Sequence, residues 1–240
     1  TGRPLSLISF AWQANAWPNP YYFKLVNVAI HVVNCILLVL IFNRIICRIN
    51  RNLPALYISL VAGFVWAVWP LQVSSVLYVV QRMVLLSSFF VLSGIWFYLE
   101  LRIRLENQWQ AQLNKWLLLV LGIGVAGISA VFSKESGVLL LVYLLLLERF
   151  LFSADSSNDP YIKYFRWSCL YLPLTIFAVY TTYNYVGSAE RFYLLREFSL
   201  EERLLTQGRV ITDYLQFLFF PKGSALGLYH EAYPKSVSLF

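Results

Sequence analysis

Apolar residues fill long runs along this chain, broken by short clusters of prolines, basic residues and small polar residues. The first run covers about 25–43 and stops at Arg44, Arg48 and Arg51. A second lies between Pro54 and Pro70, short for a bilayer crossing of about 20 residues. The third, about 77–101, ends at Arg102 and Arg104, with its first turns at the membrane interface. A polar stretch, Glu106–Lys115, leads to a fourth run at about 116–132. Ser133-Lys134-Glu135-Ser136-Gly137 reads as a tight turn before a fifth run at about 137–152, and a polar segment at 153–166 precedes a sixth at about 167–186.

The ends of the chain differ from its middle. Residues 1–24 mix polar and aromatic residues (Trp12, Trp17, Tyr21, Tyr22) and read as an interfacial segment. Residues 187–207 are rich in charge, and Ser199 with Glu202 fits a capping box that starts a helix near Leu200. A last apolar stretch, 210–220, stops at Pro221. The pattern predicts an all-α fold, a polytopic transmembrane helical bundle of about six or seven spans. Residues 1–240 then form a single membrane domain: the outer interfacial segment 1–24, six spans over 25–186, and an outer loop plus short apolar helix over 187–240. Because the chain begins Thr1-Gly2-Arg3-Pro4 without Met and ends at Phe240 without an obvious stop, it reads as an excerpt truncated at both ends.

Composition strengthens the membrane reading. Of 240 residues, 59% are hydrophobic and 13% charged, whereas a soluble domain carries about 25% charged residues. The net charge of +7 sits beside the apolar runs, which is the pattern of membrane flanks and not of a nucleic-acid surface. Alternate loops carry nine basic residues (Arg44, Arg48, Arg51, Arg102, Arg104, Lys115, Arg149, Lys163 and Arg166) against four on the first opposite loops (Arg3, Lys24, Arg82, Lys134). The positive-inside rule places the nine in the cytoplasm. Cys35, Cys47 and Cys169 have no metal-type spacing and read as buried free thiols.

Polar residues inside the runs mark the candidate chemistry. Lys24, Asn27, His31 and Asn34 lie on one helical stripe, either an interhelical hydrogen-bond seam or the wall of a polar cavity open to the outside. Thr206, Arg209, Asp213 and Gln216 form a second stripe, equally consistent with a surface helix facing water. Gln81-Arg82, with Ser74, Ser75, Ser87 and Ser88 nearby, and Lys134-Glu135 place two cations by two short turns on one face, a pairing suited to a phosphate or pyrophosphate. Outside the charged 187–207 loop, the outer-face carboxylates near helix ends are Glu135, Asp213 and Glu231. No P-loop, zinc site, Ser-His-Asp set or nucleic-acid module is legible.

Five segments, in order, carry a resemblance: Gly2-Arg3-Pro4-Leu5; Lys24 to Asn34, similar to an HLxNxxxHxxN span; Pro70 to Met83, similar to HPxQxxxVxYxxQRM; Lys134-Glu135-Ser136-Gly137, similar to a KExx turn; and Arg209 to Pro221, similar to RxxxxYLxxLLxP. Together they resemble the membrane part of bacterial relatives of the transmembrane O-mannosyltransferases that carry tetratricopeptide repeats, over nearly the whole chain. The resemblance implies a GT-C glycosyltransferase in a bacterial inner membrane, its active site facing the periplasm. It implies a polyprenyl-phosphate sugar donor, a protein or glycan acceptor with a free hydroxyl, and no nucleic acid. Arg82, Lys134 and Arg209 become the expected lipid-phosphate contacts, and Arg3, Asn27, His31, Asn34 and Gln81 the expected cavity lining. Glu135 and Asp213 are candidates for catalysis, although the family's acidic motif would lie upstream of Thr1. No metal ligands are implied, and the need for a divalent metal stays open. The family's His-Pro is Trp69-Pro70 here. Two other classes stay in view: a transporter or flippase of lipid-linked glycans, for which no internal repeat is found, and a non-catalytic anchor for a repeat domain.

Overall fold

The computed structural model describes residues 2–105, 113–152, 160–194 and 200–220. The polar stretch at 106–112, the loop at 153–159, the capping Ser199, Pro221 and Glu231 lie outside the described residues. Every element among the described residues is helical. The chain forms two compact units, Thr1–Leu174 and Thr175–Phe240.

The first unit opens with α1 (Pro4–Ala11), whose proline sits where a helix has no use for its N–H. After a 3-10 turn, Asn19 starts α2 (Pro20–Ile49) by accepting from the Tyr21 N–H at 2.9 Å. The helix runs past the apolar stretch at both ends, because Arg44 and Arg48 end the apolar surface without ending the hydrogen-bond ladder. α3 (Ala55–Val68) stops at Trp69, which the following Pro70 holds extended. α4 (Gln72–Leu77) and a 3-10 turn (Val79–Gln81) lead into α5 (Arg82–Leu105). α6 (Leu113–Ser133) ends at a second 3-10 turn (Glu135–Val138) before α7 (Leu139–Phe150). α8 (Pro160–Phe165) continues through a π turn (Arg166–Tyr171) into α9 (Leu172–Leu194), most of which belongs to the second unit with α10 (Leu200–Phe219).

Among the described residues, three helical stretches are long and apolar enough to cross a membrane: Pro20–Ile49, Val79–Arg104 and Asn114–Ser133. α3 is apolar but has 14 residues, about 21 Å against a hydrocarbon core of about 30 Å. α7 has 12 residues, and α9 carries Thr181, Thr182 and Asn184 along its course. Solvent exposure supports the membrane reading. On α6, Val125 is 66% exposed and Ile128 59%, and α3 turns Tyr57, Phe64 and Val68 outward. Apolar surface of this extent marks contact with lipid or with another protein.

α5 is the central helix, flanked by α2, α6 and α7. Its Tyr98 and Leu99 are fully buried with Leu119, Leu140 and Leu144. α3 packs on α2 through Ala55, Ser59 and Gly63, spaced four residues apart and all buried. Small residues at this spacing let two backbones approach closely. At Gly63 a Cβ would overlap Val39, and the Cys35 thiol donates to the Gly63 carbonyl at 3.3 Å. The alternating helix directions bring Arg44, Arg48, Arg102, Arg104 and Arg166 to one end of the unit, where Arg44 meets Glu100 and Arg48 meets the Leu151 carbonyl. Arg3, Arg82 and the Lys134 turn occupy the other.

Candidate functional site

The Lys134 end is organised around Arg82, the first residue of α5 and fully buried. Its Nε donates to Asn27 Oδ1 at 3.0 Å, Nη1 to the Ser9 carbonyl at 3.1 Å and Nη2 to the Phe23 carbonyl at 2.9 Å. Phe10 and Phe23 cover the guanidinium, with ring centroids 4.7 and 5.5 Å from its carbon. A charge removed from solvent is tolerated only when its donors are met. The Ser9 carbonyl lies in the last turn of α1, a position without a helical partner and favourable to a cation. Arg82 thus joins α1, α2 and α5.

Asn27 is used in full. Its Nδ2 donates to the Val76 and Tyr78 carbonyls at 3.2 and 3.1 Å, which fixes the link from α4 to α5. One turn deeper, His31 Nε2 donates to the Ala67 carbonyl at 3.0 Å, and the ring stacks on Trp66 at 4.9 Å. Because a carbonyl only accepts, the proton is on Nε2. Asn34 Nδ2 donates to the Leu85 carbonyl at 3.0 Å. Val76 and Ala67 stand at the ends of helical segments, whose last carbonyls lack helical partners, while the Tyr78 carbonyl also accepts from the Gln81 N–H at 3.0 Å. Asn27, His31 and Asn34 therefore form an interhelical seam, while Lys24, at the head of the stripe, is exposed. Among the described residues His31 Nδ1 and Asn34 Oδ1 have no hydrogen-bond partner.

α1 is held across the ends of α5 and α6. Ser6 Oγ donates to the Ser133 carbonyl at 2.8 Å. Arg3 grips Glu135 with two parallel bonds, Nε to Oε1 at 3.1 Å and Nη2 to Oε2 at 2.9 Å, and its Nη1 reaches the Met83 sulfur. Arg3's hydrogen bonding, then the backbone bond at Glu135, hold that carboxyl below the ordinary glutamate range against a small opposing effect of burial. The two parallel bonds make Glu135 a brace between α1 and the turn before α7. Lys134 is half-buried beside it, and its charge adds to the pull on the Glu135 carboxylate. Gln81 is half-buried in the turn before α5. Arg209 and Asp213 lie four residues apart on α10, in the second unit.

Four of the five segments that carry the resemblance thus contribute Arg3, Asn27, Arg82 with Met83, and Glu135 to one connected set of contacts. At this corner the Arg82 guanidinium is enclosed and Arg3 is paired with Glu135, whereas Lys24 is exposed and Lys134 half-buried beside Glu135. Among the described residues no group of three or more His, Cys, Asp or Glu side chains is placed to hold a metal ion.

A second buried polar cluster, at the opposite end, is not anticipated by the sequence reading. Glu148 is 2% exposed and accepts from Arg102 Nε at 2.9 Å, from Arg166 Nη2 at 2.6 Å and from the Tyr98 hydroxyl. Phe152 covers Arg102, with its ring 4.5 Å from the guanidinium carbon. The available signal is that Glu148 is the carboxylate of the fifth apolar run, directly after Leu144 to Leu147. Such a group in a membrane segment calls for a cationic partner.

No protein-family model matches the chain, and neither curated proteins nor solved structures contain a match to it.

Proposed function

We propose that the chain is the membrane part of a GT-C-type glycosyltransferase, a bundle of six or seven spans in a bacterial inner membrane. It moves a sugar from a polyprenyl-phosphate carrier to an acceptor hydroxyl, on a protein or glycan, at the periplasmic face. One observation carries this reading. Segments separated by up to 132 residues, which bear the resemblance, touch one another at a single end of the bundle. A simple anchor has no need to bury an arginine there, at the cost of its hydration.

In this reading Lys134 stabilises negative charge on the leaving phosphate. Arg82 acts through others: it fixes α1 and the turn before α5, and so sets the mouth of the site. The Arg3–Glu135 pair holds the Lys134 turn in place, and Asn27, His31 and Asn34 brace the helices behind it. No residue of the chain is assigned as the base, and none on α10 is given a role.

The test is a transfer assay of the complete protein in liposomes with a radiolabelled polyprenyl-phosphate sugar. Lys134→Ala is expected to lower the rate on the order of 100-fold with an unchanged melting temperature. An unchanged rate would remove Lys134 from the site.

A further inference from the structure

We propose that the cleft between α2 and α7 holds one acyl chain of an anionic phospholipid, with its phosphate at the Arg102 end of the bundle. This inference is independent of the transferase reading. The cleft has a volume of about 620 Å³, with Val91 and Ile95 of α5 as its floor and Ile45, Ile49, Leu147 and Phe150 on its walls. It follows α7 from Leu139 to Leu151. Twelve helical residues span about 18 Å, close to the roughly 15 Å of one leaflet of a hydrocarbon core. An apolar space of this size left empty would forfeit the contacts of all its lining side chains. In a bilayer, hydrocarbon is the material at hand to fill it.

Charge selects the lipid. At the Arg102 end, Arg48 directly precedes Ile49 and Arg149 directly precedes Phe150, so both walls of the cleft end beside arginine. By sequence, segments 44–51, 100–104 and 148–166 carry eight basic residues against four acidic ones. Two of those acids are already engaged: Glu148 by Arg102 and Arg166, and Glu100 by Arg44 and Arg104. Arg51 and Arg149 are exposed and have no carboxylate partner among the described residues. The other end of the cleft carries neutral Ser87 and Ser136, and the cation near it, Lys134, has Glu135 as its neighbour. An anionic headgroup is therefore favoured at the Arg102 end, and a neutral zwitterionic one gains little from either.

The experiment is native mass spectrometry of the complete protein, delipidated in neutral detergent and offered dioleoyl-phosphatidylglycerol or dioleoyl-phosphatidylcholine. One phosphatidylglycerol should be retained in clear preference to phosphatidylcholine. In the double variant Arg51→Gln/Arg149→Gln the preference should fall by about fivefold or more while phosphatidylcholine retention stays the same. Both positions are exposed, and a melting curve confirms that the variant is folded. Leu146→Trp, at a half-exposed position on the α7 wall, should lower retention of both lipids. Equal retention of the two lipids by the wild type, a preference that survives the double variant, or retention unaffected by Leu146→Trp would overturn the proposal.

Discussion

Asn27 and Arg82 are bonded side chain to side chain, Oδ1 to Nε at 3.0 Å, across 55 positions of sequence. The amide of Asn27 meanwhile holds the Val76 and Tyr78 carbonyls, and the guanidinium of Arg82 holds those of Ser9 and Phe23. One side-chain pair thereby positions α1, the start of α2 and the entry to α5.

Arg82→Lys is the informative substitution at this pair. It keeps the charge but replaces a planar fork by a single ammonium that cannot serve three acceptors. Each hydrogen bond to a charged group contributes about 1.5–3 kcal/mol. The expected outcome is a melting temperature lower on the order of 10 °C, with α1 becoming susceptible to protease. A side chain that only anchors to headgroups would tolerate lysine, so an unchanged melting curve would assign Arg82 that lesser task.

The pair Arg3–Glu135 should behave differently, because its side chains are 36% and 61% exposed. Exposed pairs contribute at most about 1 kcal/mol, and Arg3→Gln should lower stability by no more than that at neutral pH. Glu135 has a folded-state pKa below its unfolded value. The contribution is thus fully present above the unfolded pKa, about 4.3, and is lost as pH falls through the lowered folded value. Melting curves of wild type and Arg3→Gln should differ by a constant amount down to the ordinary glutamate range and converge in stronger acid.

Much of the architecture was legible in the sequence, and the reason is local. Trp69-Pro70 ends a helix by steric restriction, and residues 133–137 turn because a helix pair must reverse there, whereas α2 starts at Pro20, inside the stretch read as interfacial. The stripe of Asn27, His31 and Asn34 was visible from spacing alone. Periodicity names the face of a helix but not the neighbour that face meets. So the enclosure of Arg82 by Phe10, Phe23 and three acceptors was hidden, and so was the meeting of Glu148 with Arg102 and Arg166. Both depend on contacts set by how helices stack. The short α3 and α7 also show that an apolar run bounded by prolines or a turn measures the run, not the helix's reach across a bilayer.

Two glycines of the α6–α7 region give a contrast that tests the packing there. A Cβ at Gly137 would overlap the backbone of Ala130, which cannot move aside as a side chain can, while a Cβ at Gly124 would meet nothing within 4 Å. Gly137→Ala should destabilise by about 1–3 kcal/mol. Gly124→Ala should be neutral or stabilise by about 0.5–1 kcal/mol through helix propensity. Thermal melts of the two variants side by side should move in different directions or by clearly different amounts.

Glu148→Gln removes the charge that offsets Arg102 at 1% exposure. The expected loss is about 3–5 kcal/mol, the usual result of breaking a buried pair. Glu100→Gln, at a half-open site whose partners Arg44 and Arg104 are exposed, should cost far less. Denaturation in detergent, followed by tryptophan fluorescence, reads both. Similar effects from the two would contradict the assignment of Glu148 as the organising group of that end.

The central claim is sugar transfer from a lipid-phosphate donor. The complete protein, reconstituted in liposomes with a radiolabelled polyprenyl-phosphate sugar and a hydroxyl-bearing acceptor, tests it most directly. The expected result is label covalently attached to the acceptor, with the free polyprenyl phosphate released in equal amount, and loss of both in Lys134→Ala. Label that crosses the bilayer still joined to its lipid, with none on any acceptor, would identify a transporter and contradict the account.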